Sequence, residues 1–167
     1  MEIDEMFESI IRTKNTGYAI TEEDINNVQR KYNFIFPDVL RKFYLSYNGA
    51  SIKEIYAEGR CSELFGIHDI YPIKYKWNYG ANSLLEPVSS SIGQLEWTIE
   101  LSQEYDSVKS NNLIPFANDV GGDEYYWQNG TGYVYLIRYD DIEHPIMAFD
   151  SVLLFFESFS IMGKLQS

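Results

Sequence analysis

Apolar residues recur at helical spacing from the start of the chain. Ile3, Met6, Phe7, Ile10 and Ile11, with acids interleaved early on, predict an amphipathic first helix whose carboxylates suit the positive end of its dipole. Gly17 ends that region. Thr21 then offers an N-cap ahead of Glu22, Glu23 and Asp24, and Ile25, Val28 and Tyr32 give a second helix a narrow apolar stripe. Phe36-Pro37-Asp38 opens a third helix, with proline at the first helical position, where its missing N–H costs nothing. Val39, Leu40, Phe43, Tyr44 and Tyr47 line one face of it. Asn48-Gly49 closes it, because both residues tolerate the left-handed backbone of a C-cap.

The middle of the chain carries weaker signals. Leu64-Phe65-Gly66-Ile67 reads as a short strand, and the segment from Pro72 to Tyr79 is aromatic and irregular. Pro87 and the serines at 89–91 precede a predicted helix from Gln94 to about Tyr105, with Leu95, Ile99 and Ser102 inward. From Leu113 the pattern turns to β. Leu113 to Ala117 is an apolar strand, Asn118 to Asp123 a turn, and Glu124–Trp127 and Tyr133–Tyr139 flank Gln128-Asn129-Gly130-Thr131-Gly132 as a hairpin. Asn-Gly there supplies the positive φ of a tight reversal. Asp140-Asp141 and His144-Pro145 predict a second loop, and Ser151 caps a last helix bearing Val152, Phe155, Phe156 and Phe159. Helices, a meander of strands and a closing helix, with no linker or repeat between them, predict one α+β domain over residues 1–167.

Composition narrows the function classes. A 167-residue chain with 45% hydrophobic residues can bury a sizeable core without a metal or disulfide staple. One cysteine, Cys61, excludes an internal disulfide, and with two histidines it leaves no multi-cysteine or histidine-rich metal centre. The net charge is −12, and residues 111–167 carry 8 acids against 2 bases. A surface for nucleic acid needs clustered Lys and Arg, so direct nucleic-acid binding is disfavoured, whereas an acidic field attracts basic partners. An acidic N-terminus without a following apolar run gives no secretory signal, and no stretch is long enough to span a membrane. The expectation is a cytoplasmic protein without a membrane partner, and Asn129-Gly130-Thr131 is read as a turn rather than a glycosylation site.

Two segments carry a family resemblance. Thr21-Glu22-Glu23-Asp24-Ile25, followed by the run from Phe36 through Pro37-Asp38-Val39-Leu40 to Tyr47-Asn48-Gly49, resembles the N-terminal signature of the SMI1/KNR4 (SUKH) superfamily. Ile114-Pro115-Phe116-Ala117-Asn118-Asp119, then Gly121-Gly122-Asp123 and the strand at Gly132-Tyr133-Val134-Tyr135, resembles the second signature, and Phe155 to Phe159 is similar to the last helix. The stretch 67–112 carries no such match. The resemblance implies a SUKH-like α+β domain, a small antiparallel or mixed sheet flanked by N-terminal helices and a closing C-terminal helix. It also implies no catalysis and no cofactor. Bacterial members are chiefly immunity proteins against polymorphic or contact-dependent toxins, often nucleases; fungal members are regulatory scaffolds in cell-wall synthesis and signalling.

The candidate contact residues are therefore acids and aromatics of the C-terminal third: Asp119, Asp123, Glu124, Tyr126, Asp140, Asp141 and Glu143, with Tyr75 and Trp77 from the aromatic middle. They are expected to seat a cognate toxin, a basic nuclease domain, against an acidic, aromatic-rich surface. The alternative is a scaffold binding an endogenous partner. The Asp119–Glu124 carboxylates read as a turn before they read as a metal or acid–base site, because their spacing misses a calcium loop and no histidine supports them. His68-Asp69 and Cys61 lack a recognisable catalytic setting and are read as structural.

Overall fold

The computed structural model describes residues 2–77, 85–87 and 92–166, and no side chain among 77 and 85–87. Tyr79 and the serines at 89–91 lie outside the described residues, as does the side chain of Trp77. Helix α1 (Ile3–Glu8) is shorter than its apolar spacing predicts. Ile10 is buried in the turn that follows, and Ile11 opens strand β1 (Ile11–Thr13). The hydroxyl of Ser9 donates to the Met6 carbonyl at 2.7 Å, turning the chain out of the helix.

Helix α2 (Glu22–Tyr32) begins as its sequence predicts. The Asp24 amide donates to Thr21 Oγ1 at 3.3 Å, and the Thr21 amide donates to Asp24 Oδ2 at 2.9 Å, a reciprocal capping box. Asn33, at φ 56°, stops the helix in the left-handed region. Helix α3 (Asp38–Tyr47) starts one residue later than expected, with Pro37 at the cap. Its end also differs. Gly49 is left-handed at φ 79°, but Asn48 is not, at φ −55°. Asn48 is buried, and its carboxamide donates to the carbonyls of Tyr18 (2.8 Å) and Ile73 (3.0 Å) while accepting from the Ile73 amide (2.9 Å). It stitches three distant segments, a demand that overrides its turn propensity.

Strand β2 (Ser51–Ile52) pairs with β1, and β3 (Ile55–Glu58) with β4 (Leu64–Ile67). Strand β5 (Asp69–Ile70) is followed by β6 (Tyr75–Trp77), which pairs with β7 (Leu85–Pro87). Then come helices α4 (Gln94–Ser102) and α5 (Asp106–Lys109), strands β8 (Leu113–Asn118), β9 (Glu124–Gln128), β10 (Val134–Arg138) and β11 (Asp141–Phe149), and helix α6 (Val152–Leu165). Ser151 caps α6 through the Leu154 amide at 3.0 Å. The main sheet is antiparallel, in the order β11-β10-β9-β8-β5. This is the α+β arrangement the sequence predicts.

Alternation along β9 and β10 sends side chains to opposite faces. Tyr125, Trp127, Val134 and Leu136 join the main core, where Phe155 of α6 packs edge-on with Phe116, Tyr125 and Phe149, and Phe156 and Phe159 pack edge-on with Phe155. Each such phenyl contributes about 1.5–3 kcal/mol by burial. Tyr126 and Ile137 point the other way, into a second core with Leu113 and with Val108 of α5. Trp127 is enclosed by Phe34, Phe36 and Phe116. The hairpin loop is longer than a two-residue reversal, with positive φ at Gly130 (101°) and Gly132 (79°) rather than at Asn129. The second expected loop is also different: the chain turns at Tyr139-Asp140, and β11 runs on through His144-Pro145. Its register against β10 jumps between Ile146 and Asp141, so residues 142–145 bulge. Proline lacks a ladder donor and is accommodated on this edge strand.

The Asn48 stitch gives a direct test. Asn48→Leu, which keeps the volume and removes all three hydrogen bonds, is expected to destabilise the fold by about 3 kcal/mol in urea unfolding, since buried backbone groups lose their partners. A loss near zero would show that the stitch is dispensable.

Candidate functional site

Two turns meet at one end of the main sheet. In the β8–β9 turn the Asp119 amide donates to the Asp123 carbonyl at 2.9 Å, and Asp119 Oδ1 accepts from the Asp123 amide at 3.0 Å. Asp123 Oδ1 in turn accepts from the amide of Tyr139, in the β10–β11 turn, at 3.0 Å. The two aspartates of the suggestive carboxylate loop thus fasten one turn to the other. Burial raises the pKa of Asp119, against the lowering effect of the amide that bonds it. Beside this clasp stand Asp140, Asp141 and Glu143, all exposed. His144 Nδ1 lies 2.6 Å from Asp141 Oδ1, and that hydrogen bond and charge raise the imidazole pKa.

Two residues not singled out by sequence complete the patch: Tyr139 is 70% exposed and Val120 53% exposed. Position could have found Tyr139, which immediately precedes the Asp140-Asp141 pair. Its exposure, however, depends on the turn forming at 139–140 instead of further along.

Three expected contact side chains are placed elsewhere. Tyr126 is buried at 2% exposure, because α5 and the start of β11 cover the face of the sheet that alternation would otherwise leave open. Tyr75 is buried against the ring of Tyr18, centroids 4.8 Å apart. Glu124 is half-buried and bound by the hydroxyls of Tyr71 (2.5 Å) and Tyr126 (3.5 Å). These three serve the interior. Glu124 pairs in register with Asn118, and Asn118 with Asp69, so two carboxylates share one row of the sheet. Burial raises the pKa of both; Tyr hydroxyl bonds oppose the shift at Glu124, and His68 and Arg12 oppose it at Asp69.

His68 Nε2 is 3.6 Å from Asp69 Oδ2 and its Nδ1 is 3.7 Å from Glu54 Oε1, beyond hydrogen-bond range. Cys61 is exposed, at φ 57° in the turn between β3 and β4. Among the described residues, no group of three or more His, Cys, Asp or Glu side chains is placed to hold a metal ion. No helix among them is long and apolar enough to cross a membrane.

The family model for the SMI1 / KNR4 family (SUKH-1) matches residues 19–162. The chain belongs to the SMI1/KNR4 family. The matched range takes in residues 67–112, where no signature was legible, and so includes α4, whose Leu95 and Ile99 join the main core, and α5, whose Val108 joins the second core of this SMI1/KNR4 domain. Neither the curated proteins nor the solved structures contain a match to the chain.

The raised carboxylate at Glu124 has a pH consequence. A folded-state pKa above the unfolded value means the native state holds the proton more tightly, so the group's contribution to stability is present at low pH and is lost as pH rises through its pKa. Glu124→Gln keeps one acceptor oxygen for Tyr71, turns an NH2 donor toward the Tyr126 hydroxyl oxygen, and removes the charge. It is expected to melt above the parent at about pH 8 and within a degree or so of it at about pH 4. An equal shift at both pH values would mean that charge burial at Glu124 is not the cause.

Proposed function

We propose that the chain acts as one non-catalytic protein-binding domain, an immunity protein of the cytoplasm that neutralises a basic toxin domain, of nuclease type, by covering it. The observation that carries this reading is Tyr139, exposed at the sheet end in the turn that Asp123 fastens to the β8–β9 turn, with Asp140, Asp141 and Glu143 exposed directly after it in the chain. A nuclease has a cationic groove for phosphate, and an acidic surface with an exposed aromatic is complementary to it in charge. The clasp from Asp123 to Tyr139 holds the aromatic in place before binding, which lowers the ordering cost of association. Family membership supports a binding role, and the resemblance to bacterial immunity members supplies the toxin class.

The test is capture of the tagged chain's partner from the cells that make it, followed by affinity measurement on the purified pair. A basic toxin domain that elutes as salt rises is the expected partner. Tyr139→Ala should weaken it by about 10-fold or more, as for a central aromatic contact. Asp140→Lys with Asp141→Lys should weaken it by about 100-fold and flatten the salt dependence. Recovery of cell-wall or signalling proteins alone would favour the scaffold alternative, and unchanged affinity in both variants would move the contact away from the sheet end.

A further inference from the structure

The chain contains the dipeptide Asn-Gly at Asn48-Gly49 and again at Asn129-Gly130. In this pair an asparagine carboxamide precedes a main-chain nitrogen that no side chain screens. That nitrogen can close a five-membered ring on the side-chain carbon and expel ammonia. Whether it does so depends on what the fold leaves free, and the fold treats the two pairs in opposite ways.

At Asn48-Gly49 the reaction is shut off. Asn48 is 3% exposed, and both ends of its carboxamide are engaged, Nδ2 by the carbonyls of Tyr18 and Ile73 and Oδ1 by the Ile73 amide. Loss of ammonia would forfeit the two bonds that Nδ2 donates and leave buried carbonyls unpaired.

At Asn129-Gly130 those restraints are missing. Gly130 is exposed, at φ 101°, with no atom within 4 Å of where a side chain would stand. Among the described residues neither its N–H nor Asn129 Nδ2 makes a hydrogen bond. The one bond to the carboxamide reaches the other atom: the Ile35 N–H donates to Asn129 Oδ1 at 3.3 Å. Negative charge develops on that oxygen when a nucleophile adds to the carboxamide carbon, so a fixed N–H there acts as an oxyanion donor. The surrounding turn is held meanwhile, by Asn129 N–H on the Asn112 carbonyl (2.9 Å) and Gly132 N–H on the Gln128 carbonyl (2.9 Å). Both residues of the pair line a cleft of about 340 Å3 between the hairpin loop and Ile35-Phe36-Pro37, ample for water.

We propose that Asn129-Gly130 is a site of spontaneous modification, with water as its only co-reactant. Solvent takes the proton of the Gly130 N–H, and the nitrogen attacks Asn129 Cγ. The N–Cγ bond forms, the Cγ–Nδ2 bond breaks, and Nδ2 leaves as ammonia with a proton returned by solvent. Water then opens the cyclic imide at one of its two carbonyls. Opening at Cγ gives aspartate; opening at the main-chain carbonyl gives isoaspartate, whose chain runs through the side-chain carbon. Either product adds a negative charge, and isoaspartate also lengthens the turn beside the α2–α3 connection. In the antiparallel sheet this turn lies at the end opposite Tyr139, so the change is separate from the proposed contact surface.

The test holds the purified full chain for days at physiological temperature in mildly alkaline buffer and maps its proteolytic peptides by mass spectrometry. The expected result is a gain of about 1 Da at Asn129, in two chromatographic forms, of which an isoaspartyl methyltransferase labels one. The gain should slow in mildly acidic buffer, where less base is present to take the Gly130 proton. Asn48 in the same sample should convert at least about 10-fold more slowly, since it reacts only from a locally opened state. A free peptide of residues 124–135 sets the reference. The folded chain should convert Asn129 within about 3-fold of the peptide's rate, because the fold leaves the reacting atoms free. Asn129→Gln, which would need a larger ring, should show no gain in that peptide. Absence of conversion at Asn129, a folded-chain rate more than about 3-fold below the peptide's, or equal conversion at Asn48 would overturn the proposal.

Discussion

Tyr126 and Trp127 are neighbours on β9 and are buried in opposite cores. The molecule depends on that double burial. A sheet whose central strands are covered on both faces, by α6 and its phenylalanines on one side and by α5 with the start of β11 on the other, has no free face to present. Whatever the domain displays must stand on the turns at the end of the sheet or on the outer surfaces of the helices. Tyr139, 70% exposed, stands at such a turn, with Asp140, Asp141 and Glu143 exposed after it.

The same constraint divides the carboxylates into two populations. Glu124 and Asp69 lie in one row of the covered sheet, where desolvation favours their protonated forms and tyrosine or histidine neighbours only partly offset it. Asp140, Asp141 and Glu143 are exposed and keep their field. Asp119 and Asp123 stand between these extremes, each using one oxygen to bind a backbone amide of the clasp. A high acid count is therefore a poor measure of the charge available to a partner, since part of it is committed to the interior. The edge strand β11 is also guarded: Pro145 and the surrounding bulge interrupt its ladder, which disfavours strand addition at that edge.

Local chemistry was legible wherever a residue's partner lay within a few positions. Thr21 and Asp24 cap each other, Ser151 caps α6, and Gly49 takes the left-handed conformation that ends α3. Buried positions of α3, α4 and α6 follow from helical spacing. The short strands β1, β2, β3, β5, β6 and β7 were not legible, because two to four residues carry no periodicity and their pairing is fixed by distant partners. The length of α1 failed for a related reason: Ile10 and Ile11 extend an apolar helical pattern, yet Ile11 pairs with Ile52 in a strand. Among the expected contact residues, Asp140, Asp141 and Glu143 are exposed as their charge suggests, whereas the exposure of Tyr139 and Val120 and the burial of Tyr126 and Tyr75 were not legible in the sequence.

Composition and interactions of short range along the chain were enough for the α+β class, the starts of the helices that Thr21 and Ser151 cap, the family signatures at both ends and the acidity of the last third. Tertiary structure decided which aromatics are seen. Alternation tells which of Tyr125, Tyr126 and Trp127 share a face, but whether that face meets solvent depends on α5 and β11 packing across it, segments that are remote in the chain from β9 or joined to it only through another strand. Asn48 shows the same limit: its propensity suggested a turn, and its three hydrogen bonds to residues about 25–30 positions away gave it another task.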